Sequence, residues 1–263
     1  MAFAYFKETL KNVFLQPAII FVIVIQTVIL LFIAFGISFE YQKDVLLSVS
    51  IMGREPLEGE NLIVFRSMVL HFIPLFWSIF MFLYIIGTSA AYSEMFKDPL
   101  LNILLTKKYS RTQILSSRYL GVVAAIILLQ FLFSVGVTST VYFKTGSLLL
   151  YIFLPMILTA GIQFLLITSL SGLFALVFEN ATATMVLTLV IYYYNSYLTA
   201  GISLSNSILK FFAYLFPPLF TIDKIFMDTM IHQSSDVVFP LYSFIFIVVY
   251  FGTTVLIFKR RDL

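Results

Sequence analysis

Five cations, Lys97, Lys107, Lys108, Arg111 and Arg118, fall in one short stretch of an otherwise apolar chain, with Glu94 and Asp98 beside them. The chemistry such a cluster supports is recognition. A basic, folded element between membrane spans is a docking surface for a soluble partner. Little else in the sequence could carry a reaction. Cysteine is absent, which excludes disulfides, thiolate metal sites and cysteine nucleophiles. His71 lies near the edge of an apolar run and reads as a hydrogen-bonded interfacial residue, and His232 has no His or Cys neighbour to complete a metal site. There is no G-x-S-x-G, H-E-x-x-H, intramembrane aspartate pair or P-loop. No enzymatic activity, cofactor or metal is expected of this chain, and a net charge of +3 is too small to argue for nucleic acid.

The elements that must position the basic cluster are membrane helices. The composition is 61% hydrophobic and 11% charged, with a mean hydropathy of +1.03; soluble domains carry roughly 25% charged residues. A hydrocarbon core about 30 Å thick takes roughly 20 helical residues to cross. Six runs qualify, about 18–39, 67–92, 119–143, 148–178, 181–202 and 237–258, and none holds Asp, Glu, Lys or Arg in its interior. Lipid offers no hydrogen bonds to the backbone, so these runs must be helices, and their unbroken apolar sequence does not alternate as a barrel would. The first run has too long an apolar core for a cleavable signal and is expected to stay as an anchor. The fold class predicted is therefore all-α integral membrane, one transmembrane domain over 1–263.

Orientation follows from the cations. With the N-terminus inside, ten of the sixteen Lys and Arg are cytoplasmic (Lys7, Lys11, the five of the cluster, Lys259, Arg260 and Arg261), and six are outside. Six spans return the C-terminus inside. Ahead of the first span, residues 2–16 read as an interfacial amphipathic helix, Phe3, Phe6, Leu10, Val13 and Phe14 on one side and Lys7, Glu8 and Lys11 on the other. Pro17 suits the first turn of the next helix. The polar, acidic loop at about 40–66, with Gly53, Pro56 and Gly59 as breakers, reads as a connection, with a small external cap as the alternative. Gly87 with Ala91, Gly121 with Ala125, and Thr168 with Gly172 have the small-xxx-small spacing that lets helices approach closely. A tight hairpin is expected at Glu179–Asn180. Two short apolar patterns at about 208–216 and 222–231, separated by Pro217–Pro218, read as short helices at the outer leaflet.

The basic segment has internal order. Asp98–Pro99 is a helix start, Leu100, Leu101, Leu104 and Leu105 form an apolar stripe, and Lys107 and Lys108 fall where a helix C-terminus favours cations. Ser110-Arg111-Thr112-Gln113 has the S-x-x-Q form of a capping box and opens a second helix running through Arg118 into the third span. The spans themselves contain no carboxylate, Lys or mid-membrane His for ion coupling. Their polar residues are neutral: Gln26, Gln130, Gln163, Thr182, Thr184 and Asn195, suited either to helix–helix hydrogen bonds or to lining a pathway for an amphipathic substrate. If the protein transports, its energy must come from another chain.

In this layout the chain resembles the permease subunits of ABC-2-type ABC transporters, in the branch related to the NosY and GldF permeases. The stretch from Glu94 through Thr106, followed by Tyr109-Ser110-Arg111-Thr112-Gln113-Ile114-Leu115, looks like the family's element between spans two and three, with Glu94, Leu101, Leu104, Leu105, Ser110, Arg111 and Ile114 at matching positions. Asp98–Pro99 stands where the family often has Gly-Thr. Leu215-Phe216-Pro217-Pro218-Leu219-Phe220, leading to Phe226, resembles the stretch before the last span, and Phe258-Lys259-Arg260-Arg261 is a typical ending.

The resemblance implies a multi-pass subunit of a prokaryotic cytoplasmic (inner) membrane, paired with a second six-span permease, in lipid, and driven by cytosolic nucleotide-binding ATPase subunits. It implies an ATPase-coupling interface at Glu94, Lys97, Asp98, Leu101, Leu104, Leu105, Lys107, Lys108 and Arg111. It also implies an outer gate near Phe212, Phe216, Pro217, Pro218 and Phe220. The function expected is an ATP-driven permease without catalysis of its own. The alternatives are a membrane anchor or mechanical subunit of an ABC complex that moves no solute, and an uncoupled channel or carrier.

Overall fold

A computed structural model describes residues 2–42, 45–97, 110–146, 150–199 and 238–260. The elements in chain order are α1 (Ala2–Leu15), α2 (Pro17–Leu31), a π-helical turn (Phe32–Gly36), β1 (Ile37–Gln42), β2 (Val45–Ile51), α3 (Gly59–Lys97), α4 (Arg111–Thr145), α5 (Leu150–Phe178), α6 (Ala181–Thr199) and α7 (Val238–Arg260). The long apolar runs are helical, as the absence of solvent hydrogen bonds in lipid demands. Among the described residues, four helices are long and apolar enough to cross a membrane: Pro17–Gly36, Ser78–Phe96, Thr112–Lys144 and Gly161–Phe178. The runs expected as the fifth and sixth spans correspond to α6, with a shorter apolar stretch at Ala181–Tyr194, and to the 23-residue α7. At 1.5 Å per residue, the 39 residues of α3 reach about 58 Å, so this helix projects well beyond a bilayer core.

Pro17 occupies the first turn of α2, where a missing N–H costs nothing, and the amides of Ile19 and Ile20 bond back to the Gln16 carbonyl at 2.9 and 3.0 Å. The α5–α6 connection is as short as expected. Glu179 takes a left-handed φ of 50°, and the Asn180 side chain accepts from the amides of Thr182 (2.9 Å) and Ala183 (3.3 Å), capping α6.

Two sequence expectations are corrected. The described chain is mostly helical, in keeping with an all-α membrane protein, but β1 and β2 form an antiparallel hairpin in the stretch read as a connection, and the first span ends at Gly36 rather than at 39. The physical reason lies in Ile37-Ser38-Phe39-Glu40-Tyr41, which alternates apolar and polar with the period of a strand, while its apolar half merges into the preceding run. Ser48 donates to the Glu40 carboxylate across the pair (2.8 Å), and the Lys144 ammonium at the end of α4 bonds the Ile37 carbonyl. Chain reversal after β2 passes through Met52 (φ 52°) and Gly53 (φ 70°), with the Arg54 amide bonding to Ile51 (3.1 Å). The second correction is that α3 begins at Gly59, so the loop expected to reach residue 66 is mostly hairpin and helix.

Helix α5 is central and touches α3, α4, α6 and α7. The peripheral α2 has 17% of its span buried, against 61% for Ser78–Phe96 of α3, which leaves Phe21, Val24, Val28 and Leu31 facing outward. The buried face of α1 is the expected one: Val13 is fully buried, Leu10 and Phe14 pack against the core, and Lys7, Glu8 and Lys11 are exposed. Its main partner is α4. There a Cβ on Gly121 would meet Thr9 Cβ at 2.9 Å and the Phe6 carbonyl oxygen at 3.0 Å. On α3 a Cβ at Gly87 would meet Ile19 of α2 at 2.7 Å. Both glycines therefore serve close helix approach. Gly121→Val should lower stability by about 1–3 kcal/mol through overpacking. Gly161→Ala, with nothing within 4 Å of the added methyl, should leave the thermal midpoint in detergent unchanged or slightly higher; equal midpoints for both variants would contradict the packing assigned to α1.

Candidate functional site

The basic segment is framed by the end of α3 and the start of α4, and local sequence makes both ends. Ser110 is the N-cap of α4 in extended conformation (φ −71°, ψ 140°). The Gln113 amide donates to Ser110 Oγ at 3.2 Å, and the Ser110 amide donates to Gln113 Oε1 at 3.4 Å. This is the reciprocal capping box expected from S-x-x-Q, satisfying two otherwise free helix donors. Ile114 and Leu115 follow directly and are buried, which turns the helix onto the core in its first turn.

Arg118 joins the two ends. Its side chain is only 5% exposed, and Nη1 donates to the Met95 carbonyl at 2.8 Å. Met95 lies in the last described turn of α3, where carbonyls lose their intrahelical partners and carry the negative end of the helix dipole. A buried guanidinium there is both hydrogen-bonded and electrostatically favoured. Sequence reading counted Arg118 as one more surface cation, but the structure makes it an internal pin.

Glu94, one turn before the end of α3, is exposed and accepts from Gln16 Nε2 at 2.8 Å, which ties the α1–α2 junction to α3. Between α1, α3 and α4 lies a cleft of about 290 Å³ lined by Glu8, Thr9, Asn12, Ala91, Glu94, Met95 and Arg118. Neither Gln16 nor the Thr9–Asn12 edge was singled out in the sequence. Only the four-residue spacing of Glu8 and Asn12, about one helical turn, pointed to a shared face.

Of the expected coupling residues, Glu94 is thus placed with its side chain, Lys97 ends α3, and Arg111 begins α4. Asp98, Leu101, Leu104, Leu105, Lys107 and Lys108 lie outside the described residues, as do the gate candidates Phe212, Phe216, Pro217, Pro218 and Phe220.

Deeper in the bundle, the neutral polar residues hold helices to one another. Gln26 of α2 donates to the Tyr84 hydroxyl of α3 (3.2 Å) and makes a long contact with Gln130 Oε1 of α4 (3.5 Å), all three being buried. Tyr84 meets Phe164 of α5 edge-on at 4.7 Å. Towards the basic segment, Tyr92 stacks on Tyr119, whose hydroxyl is hydrogen-bonded to Ser169 Oγ. These contacts favour the helix-bonding reading of Gln26 and Gln130 over the pathway-lining one. Among the described residues, no group of three or more His, Cys, Asp or Glu is placed to hold a metal ion.

No protein-family model, curated protein or solved structure matches the chain.

Replacing Arg118 by Met removes the donor and leaves the Met95 carbonyl buried and unpaired, a cost of about 1–3 kcal/mol. Thermal unfolding in detergent should show that loss for Arg118→Met and a smaller one for Arg118→Lys, which keeps a charged donor without the planar fork. An Arg118→Met midpoint equal to that of the parent would show that the pin contributes nothing.

Proposed function

We propose that this chain is the membrane-spanning permease subunit of an ATP-driven, ABC-2-type transporter, one that exports or extracts a substrate across a cytoplasmic membrane. In this reading six helices span the bilayer, α2 to α7 in order, with both termini inside. A second six-span copy or homologue completes the pathway, and separate cytosolic ATPase subunits supply the energy.

The observation that carries the reading is the framing of the basic segment. A helix end and a capped helix start, pinned together by a buried arginine, frame the stretch of sequence that carries the cations. A loop that only sets topology needs charge but no such frame. The four spans among the described residues supply the second support. Their charged side chains lie at or near their ends, at Glu94, Arg118 and Lys144, and none is placed for ion coupling. Work done by this protein then enters through its cytoplasmic side. ATP binding would draw two ATPase subunits together and displace the segments resting on them. Because the segment is joined directly to α3 and α4, that displacement would pass into the bundle as helix movement.

Leu101→Asp with Leu104→Asp should abolish co-purification with a cytosolic ATPase partner, while membrane insertion and thermal midpoint stay unchanged. Undiminished ATPase binding by the double variant would remove the docking assignment. ATP turnover of the complex that rises on adding candidate substrates distinguishes a permease from an anchor that moves no solute.

A further inference from the structure

A serine or threonine inside a membrane helix has a ready acceptor in the carbonyl one turn earlier. Thr88 of α3, Thr168 and Ser169 of α5 and Thr188 of α6 all use it, donating to Tyr84, Phe164, Leu165 and Thr184 at 2.6–2.8 Å. Ser89 and Ser93 of α3 and Thr184 of α6 do not. Their hydroxyl oxygens, with that of Tyr92, are buried and have no hydrogen-bond partner among the described residues. These four side chains are 0–2% exposed.

The four belong to one place. Ser89, Tyr92 and Ser93 have the i, i+3, i+4 spacing that shares a helix face. The Tyr92 ring lies beside Gly172 of α5, where an added Cβ would be 3.6 Å from its Cζ. Next to Gly172, the Ser171 hydroxyl donates to Thr188 Oγ1 of α6 at 3.4 Å, and Thr184 lies one turn from Thr188 towards the α5–α6 connection. Helix α6 packs against both α3 and α5. The unpaired hydroxyls therefore sit within about one helical turn of the same depth. We infer that the seam where α3, α5 and α6 meet binds ordered water, which bridges these hydroxyls.

The chemistry of the seam selects water. Four unpaired hydroxyls in one region are unfavourable, and more so inside a bundle surrounded by lipid. Each hydroxyl both donates and accepts, which complements water and needs no compensating charge. A sodium or potassium ion would use oxygen lone pairs alone and bring in a charge to be neutralised. The carboxylates nearest in sequence, Glu94 and Glu179, are exposed instead of buried in the seam. An apolar ligand would leave the hydroxyls unpaired. Water also gives the contact a property that direct bonds lack: it can turn and pair again after a small shift of α6 against α3. The site depends on helix packing and not on transport, so it stands or falls separately from the permease reading.

Thermal unfolding of the full chain in detergent tests the site by the sign of the shift. Thr184→Val and Tyr92→Phe each keep the shape of the side chain and remove only its hydroxyl. A dry, unpaired hydroxyl destabilises the fold, so its loss would raise the midpoint. A water-bridged hydroxyl is satisfied, and its loss should lower the midpoint by about 2–4 °C, the scale of one hydrogen bond in a chain of this length. An unchanged or raised midpoint in both variants overturns the site. Radiolytic hydroxyl labelling, read by mass spectrometry, reports on the water itself. Tyr92 should be labelled well above Phe164, which is 2% exposed, and Ser89→Ala with Ser93→Ala should bring it down to the Phe164 level. Labelling of Tyr92 no faster than that of Phe164 in the parent overturns the proposal. So do midpoints that follow sodium or potassium concentration at constant ionic strength, which would assign the seam to a cation.

Discussion

A guanidinium held away from water must find acceptors, and Arg118 finds one in the Met95 carbonyl at the end of α3. Much of the organisation at this end of the molecule depends on that bond. It brings the last turn of one long helix beside the second turn of the next and so sets where both ends of the basic segment leave the bundle. Both residues also line the cleft beside α1. The bond relieves two problems at once: a helix carbonyl without an intrahelical partner and a cation without solvent. Either group alone would destabilise the fold, and together they make a joint.

Around this joint the bundle is held by contacts that do not rely on hydrophobic exclusion, which is weak between helices already surrounded by lipid. Close approach at Gly87 and Gly121 brings α2 and α1 against α3 and α4. Hydrogen bonds from Gln26 link α2 to Tyr84 and Gln130 at a depth where water is scarce. The aromatic chain of Tyr92, Tyr119 and Phe251 continues the same packing from α3 through α4 to α7. A bundle so built is stiff along its helices and jointed at their ends. A displacement of the facing ends of α3 and α4 would therefore move whole helices.

How far the sequence was readable depended on the range of each interaction. The capping box needed only Ser110 and Gln113, three residues apart, and could be seen directly. The α5–α6 turn was equally local, signalled by Glu179 and Asn180 between two apolar runs. The hairpin at 37–51 escaped because Ile37 and Phe39 belong by composition to the run before them, so hydropathy hid the change of period from 3.6 to 2. Gly121 was legible as a packing residue, but its partner was not: the contact is with α1, more than a hundred residues earlier.

Composition and spacing alone determined that this is a helical membrane protein with a capped, basic segment between two of its long helices. Those properties follow from backbone hydrogen bonding in lipid and from contacts within a few residues, which any fold of the chain must respect. Only the tertiary structure decided that Arg118 is an internal pin rather than a surface charge, that Gln16 reaches Glu94, and that Glu8 and Glu94 face one cavity. These pairings join residues 23 to 86 positions apart. Their energies depend on burial and on a neighbour's free carbonyl or carboxylate, and neither exists until the helices have packed.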